Sequence, residues 1–218
     1  LGDARTKLSS HLRNRIRVAD ELSQGAVPAT ILRAAVIIGS GSASYEIIKH
    51  LVRRLPVVLL PKWALNRCQP IAIRDVIKYL VGVLETPQTA GRSFDIGGSD
   101  ILTYADMMRT LAEVLHRKRL FLRVPLSSLS FYSYQASFLT PIPAEITKSL
   151  MEGLKNEVIC QDDAIKDYVP FEPLKYREAI IGALTREEQD NVRTSWFGAY
   201  PPAHELTIKL HELEPGPQ

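Results

Sequence analysis

Apolar residues recur along the chain in two alternating rhythms. Between residues 9 and 25, Leu12, Ile16, Ala19 and Leu22 fall three and four apart, behind Ser9 or Ser10 as a cap and ahead of Gly25. This spacing predicts an amphipathic helix with those side chains as its buried stripe, stopped by Pro28. Residues 30–38 form a near-continuous apolar run broken only by Arg33, the pattern of a strand covered on both faces in a parallel sheet. Gly39, Ser40, Gly41 and Ser42 make a turn into a predicted helix at 44–55 and a short strand at 57–60. The alternation continues with a strand at 69–73 and a helix at 74–84, where Val76, Ile77, Leu80, Val81 and Leu84 repeat at helical spacing. A loop holding Pro87 and Gly91 precedes a strand at 93–96, closed by Gly97 and Gly98. Thr103 caps a helix reaching about 116, and a strand follows at 120–124. Alternating strands and helices define an α/β protein.

After Pro125 the texture changes. Residues 126–139 are rich in Ser and aromatics and read as helical, with Phe131, Tyr132, Tyr134 and Phe138 forming a core face or an interface. Pro141 and Pro143 break the chain before a helix at 144–154, a short strand at 156–160, a turn started by Asp162 and Asp163, and a helix at 173–188. Beyond 193 the chain is proline-rich with little period apart from 204–213. The expected organisation is therefore 1–125 as α/β, 126–190 as mostly helical, and 191–218 as a linker or docking tail.

Composition narrows the function classes. Hydrophobic residues make up 45%, enough for a packed core. With 27 basic and 24 acidic side chains, the net charge of +3 is too weak to argue for nucleic acid. The basic clusters at 13–17 and 116–123 read as a solvated helix face and a solvated loop. Cys68 and Cys160 show no CxxC spacing, and His204 and His211 do not match His-Glu-x-x-His, so no metal is expected. Two unpaired cysteines lead to the expectation of a reduced, cytoplasmic protein. The longest apolar stretches, such as 55–61, fall far short of the ~20 residues that span a bilayer, and no membrane role is expected.

Several local patterns occur in a fixed order. His11 and Arg15 lie four apart on the first helix, one helix length ahead of Leu32-Arg33-Ala34-Ala35. Gly39-Ser40-Gly41 follows, then Pro70-Ile71-Ala72-Ile73-Arg74-Asp75-Val76, then Gly91-Arg92-Ser93-Phe94-Asp95-Ile96-Gly97-Gly98 with Thr103-Tyr104-Ala105-Asp106-Met107. In this order and spacing the chain resembles the extended and atypical short-chain dehydrogenase/reductases, in particular the NmrA-like and nucleoside-diphosphate-sugar-epimerase-like group. The likeness covers roughly residues 8–125 and extends more loosely to about 185. It implies the C-terminal part of a Rossmann-like, doubly wound parallel sheet with a helical substrate-side region. Two departures stand out. The family's Gly-x-x-Gly-x-x-Gly turn, which cradles a pyrophosphate, is absent and is expected to precede Leu1. The family's Tyr-x-x-x-Lys reads His11-x-x-x-Arg15.

The resemblance implies NAD or NADP as cofactor, with tight binding not expected of this chain alone, and a small-molecule substrate. His11 stands where the family's proton carrier stands, and an imidazole can serve as acid or base near neutral pH. Arg15 stands where the ribose is held, and Arg33, Ala34 and Ala35 stand beside the cofactor, the alanines permitting close approach. Trp63, Arg67 and Gln69 fall among the substrate loops. Each has a plainer account: His11 and Arg15 as an exposed helix pair, Arg33 in an ion pair with Asp75, Asp75 as a helix cap, Trp63 as packing. The chemistry expected is hydride transfer between nicotinamide and a small carbonyl or alcohol, or an epimerase-type reaction. The alternative is a non-catalytic NAD(P) sensor or assembly scaffold of NmrA type. Association with a second copy, or with an upstream fragment that completes the sheet, is expected of strands written for burial.

Overall fold

The computed structural model describes residues 10–125, 128, 132, 139, 142 and 144–188. The elements run α1 (Ser10–Ser23), β1 (Ile31–Ala34), β2 (Ile37–Ile38), α2 (Ala43–Arg54), β3 (Val57–Leu60), β4 (Arg67–Cys68), β5 (Ile71–Ala72), α3 (Ile73–Glu85), β6 (Ser93–Ile96), β7 (Leu102–Thr103), α4 (Tyr104–Val114), β8 (Leu120–Arg123), α5 (Ala144–Gly153) and α6 (Tyr176–Glu188). Short 3-10 turns lie at Lys62–Leu65, Pro87–Thr89 and Ala164–Asp167.

The expected α/β class is what forms. The apolar run at 30–38 serves two partners: β1 pairs in parallel with β6, and β2 in parallel with β5. It therefore splits at Ala35 and Val36 instead of forming one strand. A third parallel pair joins β3 to β8, and β4 meets β7 antiparallel. The expected strand at 156–160 is reduced to one bridge, Val158 against Cys68.

Three buried clusters hold these pieces together. The largest joins Tyr45 and Val52 of α2 to Met107 and Leu111 of α4 and Ile180 of α6. A second gathers Ile71, Phe94 and Ile96 under Val76 and Tyr79 of α3. The third sits between α2 and α5, around Ile47, Ile142 and Met151. Gly98 makes one close approach possible. Its N–H donates to the Pro70 carbonyl at 3.1 Å, and a Cβ there would meet that oxygen at 2.2 Å.

Helix periodicity located α1 and α3 but not what covers them. Ile16 and Leu22 are exposed, and among the described members of the α1 stripe only Leu12 packs against a core cluster. The helix rests on α5, which touches only part of its circumference. On α3, Val76 is buried, but Ile77, Leu80, Val81 and Leu84 are 48–85% exposed. The inward face carries Asp75, Val76 and Tyr79 instead.

The segment from 160 to 176 is attached by packing of Ile165, Tyr168 and Phe171 against the α3 cluster and by its backbone. The N–H groups of Cys160, Gln161, Leu174 and Tyr176 donate to the side chains of Gln69, Asp95, Asp75 and Asp100, at 2.8–3.1 Å. Asp75 is thus no helix cap: fully buried, it accepts from Leu174 and pairs with Lys78 at 3.0 Å. Part of the basic cluster at 116–123 also has a specific use. Arg119 donates to the Val52 and Arg53 carbonyls at 2.6 and 2.9 Å, satisfying the open C-terminal end of α2. The aromatics Phe131, Tyr134 and Phe138, His204 and His211, and the tail at 191–218 lie outside the described residues.

Candidate functional site

In open α/β sheets, ligands bind beyond the carboxyl ends of parallel strands. Here β1 ends at Ala34, with Ala34 and Ala35 both half-buried and too small to block an approaching ring. β2 delivers the turn at residues 39–42, where Gly41 takes a φ of 76° that suits glycine. Ser42 donates to the Ile37 carbonyl at 2.9 Å, and Ser40 to the Ala183 carbonyl on α6, so the turn is held from both sides.

Arg33 lies directly opposite Asp95 in the β1–β6 register. Its Nη2 stands 2.7 Å from Asp95 Oδ1, the carboxylate being buried and the guanidinium half-exposed. The partner is therefore Asp95 and not Asp75, which its tie to Leu174 keeps elsewhere. Gln161 N–H occupies the second Asp95 oxygen at 2.9 Å. Beside this pair, Gln69 donates to the Gly98 carbonyl at 2.8 Å and accepts from Cys160 N–H at 3.1 Å. Burial, and then the Asp95 charge, push the Cys160 thiol up to about 11.

A larger cavity opens on the other side of α2. It measures about 420 Å³ and lies between α2, β3, the turn at Lys62–Leu65, α4 and α5. Ile48, Leu51, Val58, Trp63, Met108 and Leu150 represent its wall, and among the described residues no charged side chain lines it. Trp63 packs edge-on against Tyr132 with ring centroids 5.5 Å apart, and its indole N–H is buried without an acceptor among the described residues. The Tyr104 hydroxyl is engaged by Cys68, and burial holds both groups uncharged, Cys68 at about 12.

The residues singled out by sequence thus fall in different places. Arg33 and Gln69 sit at the polar junction around Asp95. Trp63 belongs to the apolar cavity. Arg67 is exposed on β4 and forms a two-pronged pair with Glu157, at 3.0 and 3.1 Å, that holds the Glu157 carboxyl below its usual range. Arg15 is exposed on α1, and the side chain of His11 lies outside the described residues. One cluster escaped sequence reading. On α2, buried Lys49 reaches both oxygens of Glu46 at 2.7–2.8 Å, and His50 Nδ1 is 3.5 Å from the same carboxylate. The signal was the i, i+3, i+4 spacing of Glu46, Lys49 and His50.

Parallel strand pairs connected through helices give the chain a partial Rossmann-like α/β fold. No protein-family model matches the chain. It is 22% identical over 165 residues to "NADH dehydrogenase [ubiquinone] 1 alpha subcomplex subunit 9, mitochondrial" of Arabidopsis thaliana, covering 70% of this chain and 41% of that protein. The protein of the same name from Dictyostelium discoideum is 21% identical over 206 residues, covering 94% and 50%. The chain thus spans half or less of the length of these relatives. Among solved structures it is similar to a nucleoside-diphosphate-sugar epimerase from Staphylococcus aureus, with a TM-score of 0.60 at 14% identity over 82% of this chain and 61% of that one. It is also similar to a UDP-glucuronic acid 4-epimerase from Bacillus cereus, solved with UDP-glucuronic acid and NAD, with a TM-score of 0.54 at 14% identity over 82% and 51%.

Proposed function

We propose that these residues form the substrate-facing half of an NAD(P)-linked oxidoreductase or epimerase-like protein. The carrying observation is that the small residues Ala34 and Ala35 and the turn at 39–42 follow the carboxyl ends of the parallel strands β1 and β2. The residues present fit the nicotinamide end of the cofactor in kind: Ala34 and Ala35 are small, and the turn at 39–42 holds two glycines. Bound there, the nicotinamide supplies or takes a hydride. Arg15 would hold the ribose or a phosphate, and His11 would hand a proton to the substrate oxygen. No glycine-rich pyrophosphate turn occurs among the described residues, so tight dinucleotide binding belongs to the whole protein.

The test is a titration of the whole protein carrying these residues with NAD, NADH, NADP and NADPH, followed by a carbonyl panel. His11→Ala should lower turnover by about 10²-fold or more, the usual scale for a lost acid–base group. Arg15→Ala should weaken cofactor binding by about 1–3 kcal/mol. Unchanged turnover and affinity in both variants would remove this site.

A second reading has its own support. The sequence relatives are named as subunits of an NADH dehydrogenase, and the Tyr-x-x-x-Lys pair is replaced by His11 and Arg15. A non-catalytic NAD(P) sensor or assembly subunit would keep the fold, bind cofactor, and reduce nothing across the panel. A reducing compartment such as the cytoplasm, and association with protein partners or a second copy, belong to the same proposal.

A further inference from the structure

The cavity between α2, β3, α4 and α5 measures about 420 Å³, and among the described residues its wall carries no charge. Apolar cavities stay dry, and one of about 150 Å³ is enough to take up benzene. The larger space here suits a hydrocarbon chain on the order of a dozen carbons. Its opening can be read from the wall. Val57 is the exposed member of that wall, at 38%. In the parallel β3–β8 pair, Val57 and Leu59 lie opposite Leu120 and Leu122, so the four share one face. Leu120 and Leu122 are exposed and continue the apolar surface outward from the opening.

The rim has the opposite character. Arg54, in the last turn of α2, donates to the Leu139 carbonyl at 2.7 Å. Leu139 belongs to the wall, which sets the guanidinium at the cavity's edge. That bond uses one of five N–H donors. Arg119, immediately before Leu120, is bound to the Val52 and Arg53 carbonyls. This draws the loop carrying the exposed Arg117 and Lys118 toward the same end of α2. Glu113, the acid ahead of that loop, is paired with Arg177.

We propose that this cavity takes the hydrocarbon chain of a single-chain fatty carboxylate, whose head group lies outside at the Val57 opening against Arg54. The wall selects the chain, because a charge inside would go unpaired. The rim selects the head, because a guanidinium fork matches a carboxylate. The site goes beyond the nicotinamide reading and does not rest on it.

The experiment titrates the chain with decanoate by calorimetry, and in parallel with 1-decanol and with vesicles of phosphatidylglycerol. Saturable decanoate binding is expected, tighter than that of decanol and weakening as salt is raised. Arg54→Glu should weaken decanoate by about tenfold, one exposed charge pair being lost and one repulsion gained, and leave decanol unchanged. Ile48→Phe fills the cavity and should weaken both, with circular dichroism confirming that the variants fold. The position of the chain is read separately. In a Trp196→Phe background Trp63 is the remaining tryptophan, and 10-bromodecanoate should quench its fluorescence. A folded chain that binds no decanoate would overturn the proposal. So would saturation without quenching, or an Arg54→Glu variant that loses both ligands equally. Vesicle binding without decanoate binding would also overturn it and assign the basic rim to a membrane surface.

Discussion

Asp95 is where strand register becomes energetics. It is buried, yet its two oxygens face Arg33 and the Gln161 N–H. Asp95→Asn keeps the shape and removes the charge, and should cost about 1–3 kcal/mol in denaturant unfolding. Arg33→Ala should cost less, because the guanidinium is half-exposed and solvent screens the pair. A double-mutant cycle on the two positions isolates the coupling. The same carboxylate reaches Cys160. With Cys160 raised to about 11 and Cys68 to about 12, neither thiol is ionised at neutral pH. Alkylation of the folded chain at about pH 8 should be about 100-fold slower than for a model thiol. Asp95→Asn should speed the reaction at Cys160 and leave Cys68 as it was. Equal acceleration at both would show loosening of the fold instead.

At the scale of elements, α4 shows how a local sequence signal becomes a boundary. The Thr103 side chain accepts from Asp106 N–H at 3.1 Å, and Asp106 accepts from Thr103 in return. Burial pushes the Asp106 carboxyl up, but hydrogen bonds from Thr103 and Arg109 outweigh it and hold it below the ordinary value. A folded value below the unfolded one stabilises above about pH 3.9 and loses that stabilisation as pH falls through the folded value. Thr103→Ala should therefore cost about 1 kcal/mol at neutral pH, and the gap to wild type should narrow in acid. A gap constant with pH would assign the loss to the backbone cap alone. Gly98→Ala drives a methyl group into the Pro70 carbonyl and should cost about 1–3 kcal/mol by thermal unfolding. These features were legible because each is local: the Thr103 cap, the strand at 57–60, the strand at 93–96 with its glycines. What stayed hidden was relational. Arg33 and Asp95 are lone charges in separate apolar runs, and only the register joins them. The cavity draws on five elements, and of its wall sequence had placed only Trp63 among substrate loops, Tyr132 being read as a core face or interface. Period placed α1 and α3 but is silent on which neighbour covers a stripe.

For the whole molecule, apolar surface is the outstanding property. Ile77, Leu80, Val81 and Leu84 form an exposed stripe on α3, and among the described strands β1 pairs with β6 alone. The chain should associate with a second copy in a concentration-dependent way, and replacing Leu80 and Leu84 by Glu should abolish the association. A monomer at every concentration in sedimentation, without binding of an apolar dye, would contradict this. The 160–176 segment adds a different consequence. Four carboxylate or amide side chains, Gln69, Asp75, Asp95 and Asp100, catch its main-chain N–H groups. Every residue except proline offers that same N–H. These bonds alone leave the caught residues free to vary, so Cys160 and Gln161 can drift, whereas Leu174 and Tyr176 are also held by packing in the core. Over long divergence Cys160 and Gln161 would lose recognisable similarity before the side chains that catch them and still keep their path, so that there the fold outlives the alignment.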